Sequence, residues 1–386
     1  MSVSAAWSFP TALRLRAGCI AELADTCARH GIARPLIVTD PSFARLPAFD
    51  AVQSSFDHPV PVFSSIRPNP VGTNVADGVE VFRAGAHDGV IAVGGGSALD
   101  CGKLIAFQAA QARRLWDFED IGDHWTRADS DSIAPVIAVP TTAGTGSEVG
   151  RAGVVIDEAT HRKVIIFHPK MMPVAVLCDP ELTVGLPTAL TVGTGMDALS
   201  HSLEALCAPG YHPMAHGIGL EGCRLVLEHL PRVVRDPGDL ESRAHMMAAA
   251  AMGAVAFQKG LGGMHALAHP IGAVFDTHHG MTNAVLMPYV LTANRDAIDG
   301  TITRLAAYLD VPGGIDGFIE YIVSLRADLG VPHRLTDLGV DADRVGEIAA
   351  AAAIDPSAGG NPVPFTEALA AEVFLNACNG TLEGSR

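Results

Sequence analysis

The stretch Gly89-Val90-Ile91-Ala92-Val93-Gly94-Gly95-Gly96-Ser97-Ala98-Leu99-Asp100 decides the fold. Its first five residues are an apolar, β-branched run, read as a buried strand. Its glycines demand a tight turn, and Ala98-Leu99-Asp100-Cys101-Gly102-Lys103 then reads as a helix. Two similar runs flank it. Pro35 to Thr39 (PLIVT) ends at Asp40, and Pro135 to Val139 (PVIAV) ends at Pro140-Thr141-Thr142. Continuously apolar strands separated by amphipathic stretches specify a parallel sheet covered on both faces. Val154 to Ile156 and Val164 to Phe167, split by a polar turn, read as a hairpin.

The loops after these strands suggest a nucleotide. Glycines at 94–96 let a pyrophosphate approach the backbone, and the free N–H groups of the next helix receive its charge. Taken singly, Gly-Gly-Gly-Ser reads equally well as a plain strand-to-helix turn. A second loop, Thr141-Thr142-Ala143-Gly144-Thr145-Gly146-Ser147-Glu148, offers hydroxyl donors and bare backbone after another buried strand. Open α/β sheets bind ligands at the carboxyl ends of their strands. Asp40 occupies such an end. A carboxylate there accepts hydrogen bonds from a ribose diol and repels a 2′-phosphate, favouring NAD over NADP, although spacing alone reads it as a turn aspartate before Pro41.

Near Asp179-Pro180-Glu181-Leu182 the character changes, and Ala, Leu, His and Met dominate at helical spacing. We place a boundary there, with an α/β dinucleotide-binding domain over 1–180 and an all-helical metal-binding domain over 181–386. Met246 to Phe257 reads as a buried helix. The helical half carries the sharper chemical signal. Asp197 and His201 stand at i and i+4, as do His265 and His269, and His278-His279 follow. On a helix such pairs share one face. Imidazoles among Ala, Leu, Gly and Met are costly unless partnered, and a metal is the simplest common partner. One carboxylate with imidazoles and no thiolate suits Fe²⁺ or Zn²⁺. Spacing leaves open which histidines bind the ion.

Composition excludes other classes. The 386 residues are 48% hydrophobic and 18% charged, neither a disordered nor a coiled-coil composition. The formal charge of −16 opposes general nucleic-acid or membrane-surface binding. No leader pattern and no apolar run of membrane-spanning length is present, so a cytoplasmic protein is expected. Seven scattered cysteines without a CxxC read as reduced, buried thiols.

These motifs together resemble the iron-containing (group III) alcohol dehydrogenases over nearly the whole chain. The resemblance runs from Phe9-Pro10-Thr11 through Arg67-Pro68-Asn69-Pro70, Gly94 to Asp100 and Pro140 to Glu148. It continues through Gly195-Met196-Asp197-Ala198, His265 to Pro270 and His279-Gly280. It implies a Rossmann-like α/β domain and an all-helical domain with a cleft between them. It implies one divalent metal on Asp197, His201, His265 and His279, with His269 beside the nicotinamide but not a ligand, and no fixed role for His278; from that place His269 is the candidate proton relay. It implies cofactor contacts from Asp40, Gly95, Gly96, Ser97, Asp100, Thr141, Thr142 and Lys163, and a homodimer or larger homo-oligomer. The expected activity is metal-dependent hydride transfer between NAD(H) and a primary alcohol or aldehyde, extending to a hydroxy acid and its semialdehyde. Arg151, Ala152 and Phe257 are the candidate substrate-pocket residues. Arg151 and Lys259 are conceivable contacts for an anionic alcohol, although the plainer reading makes Arg151 structural and turns Lys259 to solvent. Three alternatives differ in class or chemistry. A dehydroquinate synthase-like lyase would use a Glu and two histidines as ligands. A maleylacetate reductase-like enzyme would lack the full metal set. A non-catalytic NAD-binding protein would have little use for so dense a histidine cluster.

Overall fold

A computed structural model describes residues 8–160 and 162–382. The chain divides into two compact units. One comprises Phe9–Pro187 and Pro237–Ala251, the other Thr188–Asp236 and Met252 onward together with Ser8.

The first unit is built on a six-stranded, all-parallel sheet. Its strands are β1 (Ala12–Leu15), β2 (Pro35–Thr39), β3 (Val62–Phe63), β4 (Gly89–Gly94), β5 (Val136–Pro140) and β8 (Ala175–Cys178), in the order β1-β8-β5-β4-β2-β3. The expected hairpin is present as β6 (Ala152–Asp157) paired antiparallel with β7 (Arg162–Phe167). The helices are α1 (Leu23–Arg29), α2 (Pro47–Gln53), α3 (Gly72–Ala84) and α4 (Gly96–Gln108).

Side chains alternate between the faces of a strand, and the two apolar cores divide accordingly. Leu36, Val38, Val90, Ala92, Val136 and Ala138 join one core with the apolar residues of α3 and α4. Ile37, Ile91, Val93, Ile137 and Val139 join the other with residues of α1 and α2. Every residue of β2, β4, β5 and β8 is buried, as a sheet covered on both faces requires. From β2 the chain moves outward to β3, and from β4 it moves the opposite way to β5. The carboxyl ends of β2 and β4 therefore flank a topological switch point, where open α/β sheets place their ligands.

The second unit is helical. It contains α5 (Thr188–Cys207), α6 (Pro213–Arg235), α8 (Gly263–Phe275), α9 (His279–Ala293), α10 (Arg295–Tyr308), α11 (Gly314–Asp328), α12 (Val345–Ala353) and α13 (Glu367–Asn379). The helix α7 (Leu240–Ala256) gives its residues through Ala251 to the sheet-bearing unit and the rest to the helical one. Helices α5 and α9 meet almost backbone to backbone. A Cβ on Gly280 would lie 2.2 Å from the Gly193 carbonyl oxygen. All seven cysteines are free thiols, and six of them are buried. Among the described residues no helix is long and apolar enough to cross a membrane.

Candidate functional site

In the sheet-bearing unit, three loops gather at the carboxyl ends of β2, β4 and β5, which are adjacent in register. Gly94 closes β4 at φ 143°, a conformation side chains disfavour, and a Cβ there would meet Ala98 Cβ at 2.7 Å and Asp40 Oδ2 at 3.3 Å. Asp40 Oδ1 accepts from the N–H groups of Ser42 and Phe43 at 2.9 and 2.8 Å, while Oδ2 faces this loop. Gly95 is the N-cap of α4; the Ala98 N–H turns back to Gly95 O at 3.1 Å, and by helix geometry the N–H groups of Gly96 and Ser97 ahead of it have no intrahelical acceptor and suit an anion. Thr141 donates its N–H to Gly94 O at 3.0 Å. Thr142 packs at Gly95, where an added Cβ would lie 3.3 Å from its Cγ2.

Other expected cofactor contacts are committed to the scaffold. Ser97 Oγ donates to Pro68 O, which ties the glycine loop to the Arg67-Pro68-Asn69-Pro70 segment. The Asp100 carboxylate accepts from Ser147 Oγ and from Val154 N and pairs with buried Lys103 at 3.2 Å, so it links α4, the second loop and β6. Lys163 lies half-buried on β7, opposite Ile156. Glu148, at the end of the second loop, is buried, and burial pushes its carboxyl up to about 7.

In the helical unit, α5, α8 and α9 aim side chains at one point. Asp197 Oδ1 lies 4.0 Å from His201 Nε2, 3.9 Å from His265 Nε2 and 3.6 Å from His279 Nε2. The ligand atoms of Asp197, His265 and His279 all fall within 4.8 Å of one another. The rings of His201 and His265 stack at 4.8 Å, and those of His265 and His279 lie 5.2 Å apart. Asp197 and His265 are 3% and 2% exposed. Burial works to raise the Asp197 carboxyl, but His201, His279 and His265 outweigh it and hold it far below the ordinary carboxylate range.

The surrounding residues fix the orientation of this set. Glu204 Oε2 lies 2.7 Å from His265 Nδ1, and Glu204 Oε1 accepts from Met264 N at 2.6 Å. The buried carboxylate places the His265 proton on Nδ1 and turns the Nε2 lone pair toward Asp197, as carboxylate partners of metal-binding histidines do. Burial lowers the basicity of His265, and Glu204, together with Asp197 and Asp355, more than restores it. Asn283 Nδ2 sits among the same atoms, 2.9 Å from Asp197 Oδ1, 3.3 Å from His265 Nε2 and 3.2 Å from His279 Nε2. One amide group cannot satisfy three acceptors, which is the surplus of electron pairs a divalent ion would absorb.

His269 stands beside this set, its ring stacked 5.4 Å from that of His279 and 27% exposed at the side chain. Its Nδ1 is held by Asp355 Oδ2 at 2.9 Å, and Asp355 Oδ1 accepts from Ser357 N. His278 has a structural task. It caps α9, its Nδ1 accepting from Met281 N at 3.2 Å, and it packs against Gly193. Phe257 packs edge-on against His201, ring centroids 5.1 Å apart. Arg151 and Ala152 lie in the other unit, with the Arg151 guanidinium 5.3 Å over the Phe167 ring and the Ala152 carbonyl accepting from Lys103. Lys259 is not turned to solvent. It is half-buried and donates to Leu206 O at 3.1 Å.

Glu204, Asn283 and Asp355 are functional candidates that motif spacing does not single out. Two carry a signal nonetheless. Glu204 follows His201 by three positions and Asn283 follows His279 by four, each on the same face of its helix as that histidine.

Comparison with known proteins agrees with this architecture. Residues 10–180 match the family model described as "Iron-containing alcohol dehydrogenase", and residues 191–378 match "Fe-containing alcohol dehydrogenase family, C-terminal". The chain is 39% identical to a 4-hydroxybutyrate dehydrogenase of Cupriavidus necator over 91% of this chain and 94% of that one. A solved structure of a 1,3-propanediol oxidoreductase superposes with a TM-score of 0.92 at 32% identity, covering 96% of this chain and 99% of that one. The structure of sulfoacetaldehyde reductase from Bifidobacterium kashiwanohense in complex with NAD⁺ superposes with a TM-score of 0.88 at 27% identity, covering 97% and 99%. With an α/β unit joined to an all-helical one, and an aspartate ringed by histidines on the helical one, the chain belongs to the iron-containing alcohol dehydrogenase family and is an oxidoreductase.

Proposed function

We propose that this protein transfers hydride between NAD(H) and a primary alcohol or its aldehyde, with short ω-hydroxy acids and their semialdehydes among its substrates. The observation that carries the reading is the convergence of Asp197, His201, His265 and His279 on one point, with Glu204 fixing the tautomer of His265. Asp197 and the three Nε2 atoms would hold a divalent ion, Fe²⁺ or Zn²⁺ by the chemistry of the donor set. When bound, such an ion polarises an alcohol or carbonyl oxygen, and the nicotinamide accepts or gives the hydride.

The chain's own residues do the rest. Glu204 keeps His265 in the tautomer that presents Nε2. Asp355 holds the Nδ1 proton of His269, which leaves His269 Nε2 to take the substrate proton and pass it to water. Phe257 packs on one edge of the His201 ring. The loops at Gly94 to Ser97 and Thr141 to Thr142 would receive the cofactor phosphates, and Asp40 Oδ2 the adenosine ribose.

The deciding experiment is NADH formation by protein purified without oxygen and reloaded with Fe²⁺, over primary alcohols, diols and ω-hydroxy acids. Turnover abolished by a chelator and restored by Fe²⁺ or Zn²⁺ is the expected result, whereas turnover indifferent to chelation would overturn the metal-dependent reading. A second result concerns the cofactor. Asp40→Gly removes the only carboxylate facing the glycine loop among the contacts described. It is expected to raise the NADP⁺ to NAD⁺ preference in kcat/KM by about 10- to 100-fold, since a like charge opposite the 2′-phosphate is lost. An unchanged preference would remove Asp40 from the cofactor site.

A further inference from the structure

Three basic side chains of the helical unit meet beyond Phe257. Lys259 Nζ lies 2.7 Å from His216 Nε2, and Arg304 Nη2 lies 3.3 Å from His216 Nδ1. A neutral imidazole has one donor and one acceptor nitrogen. Here both nitrogens face cationic donors, so in either tautomer one ring N–H points at a cation. Among the described residues none of the three has a carboxylate partner, although the chain carries 42 acids against 26 lysines and arginines. The acid nearest along α6, Glu221, is taken by Arg224 and by the Tyr308 hydroxyl. His216 also sits in the first turn of α6, a 23-residue helix whose positive end adds to the field. Burial and these neighbours press His216 down to about 4, and burial chiefly presses Lys259 down to about 8. One added negative charge would complete the cluster.

Its location suggests which one. Lys259 follows by two residues the phenylalanine that packs on His201. Its Nζ is anchored on the carbonyl of Leu206, five residues past His201 on α5, about 7.5 Å of helical rise. That offset suits a molecule whose hydroxyl is at the His201 end and whose carboxylate is a few carbons away. We infer that Lys259, His216 and Arg304 form a carboxylate-binding subsite, and that its occupant is the carboxylate of an ω-hydroxy acid or semialdehyde substrate. The assignment of the occupant rests on the function proposed above; the existence of the subsite does not.

Two measurements separate these. In the first, butyrate, a carboxylate with no hydroxyl to oxidise, is titrated calorimetrically into the full-length protein and into Lys259→Met, Lys259→Arg and Arg304→Gln. Binding is expected to weaken by about 10- to 100-fold in Lys259→Met, the worth of one charge-assisted hydrogen bond, and to persist in Lys259→Arg. In the second, kcat/KM for 4-hydroxybutyrate is divided by that for 1,4-butanediol, and the ratio is expected to fall at least 10-fold in Lys259→Met and to recover in Lys259→Arg. Butyrate binding lost with the ratio unmoved assigns the subsite to a free carboxylate rather than the substrate's. Butyrate binding equal in wild type and Lys259→Met overturns the subsite. A protein that binds butyrate through Lys259 yet oxidises neither substrate keeps the subsite and refutes the proposed activity instead.

Discussion

Asp197→Asn is expected to empty the metal site and reduce kcat/KM by about three orders of magnitude or more, since Lewis-acid stabilisation is worth several kcal/mol and each ~1.4 kcal/mol is tenfold in rate. Asp197 is the geometric centre of the cluster. All three imidazole Nε2 atoms lie within 4.0 Å of its Oδ1, and it is the one anion among them. Asparagine keeps the volume and removes the charge, so packing between α5 and α9 stays close to native. The measurement is metal per chain after anaerobic reloading, beside NADH formation. His278→Ala supplies the contrast. His278 neighbours His279, one of the proposed ligands, in sequence, yet its Nδ1 caps α9. Its loss is expected to cost about 1 kcal/mol of stability and to leave metal content intact. If Asp197→Asn retained one ion per chain while His278→Ala lost it, the ligand assignment would be wrong.

The sheet was legible because its central strands are apolar on both faces. Every residue of Pro35–Thr39, Gly89–Gly94 and Val136–Pro140 is buried, and short apolar runs closed by Gly, Pro or Asp fit a doubly covered parallel strand better than a helix. The edges were not legible. The first strand, Ala12–Leu15, is exposed along its length and includes Arg14, and Val62–Phe63 is only two residues long, so neither carries a periodic signal. Ala175–Cys178 is fully buried but too short to separate from a loop. At the site, helical spacing marked Asp197 with His201 and His265 with His269, because residues four apart share a face. Asp355 is a different case. It lies 86 residues from His269, and only the folding of α12 and the turn after it brings the two within 2.9 Å. The basic trio of His216, Lys259 and Arg304 comes from three separate segments for the same reason. Local pattern reports the residues that share a helix, and tertiary packing alone reports those that share a charge.

His269→Ala tests whether the fifth histidine moves a proton or holds an ion. It shares α8 with His265 and stacks on His279, so proximity alone would make it a ligand. Its position argues otherwise: Asp197 Oδ1 pairs with the Nε2 atoms of His201, His265 and His279, and among the described residues no such pair joins it to His269. The three imidazoles around Asp197 direct Nε2 toward it; His201 and His265 are buried, while the His279 side chain is 28% exposed. His269 is tethered through Nδ1 to Asp355, and 27% of its side chain is exposed. That is the arrangement of a base oriented by a carboxylate and open to solvent on its other side. Removing it is expected to lower kcat by about 10²- to 10⁴-fold, the usual worth of a positioned general base, with metal content unchanged. Asp355→Asn should have a smaller effect of the same kind, because the ring remains and only its orientation and tautomer are released. Its mark would be a displaced pH profile of kcat rather than a loss of metal. Metal lost from His269→Ala would make it a ligand, and a pH profile unmoved in Asp355→Asn would reduce that carboxylate to a packing partner. Metal retained in both variants, with a large fall in turnover in one and a shifted profile in the other, would leave the proton path through His269 as the reading consistent with the geometry.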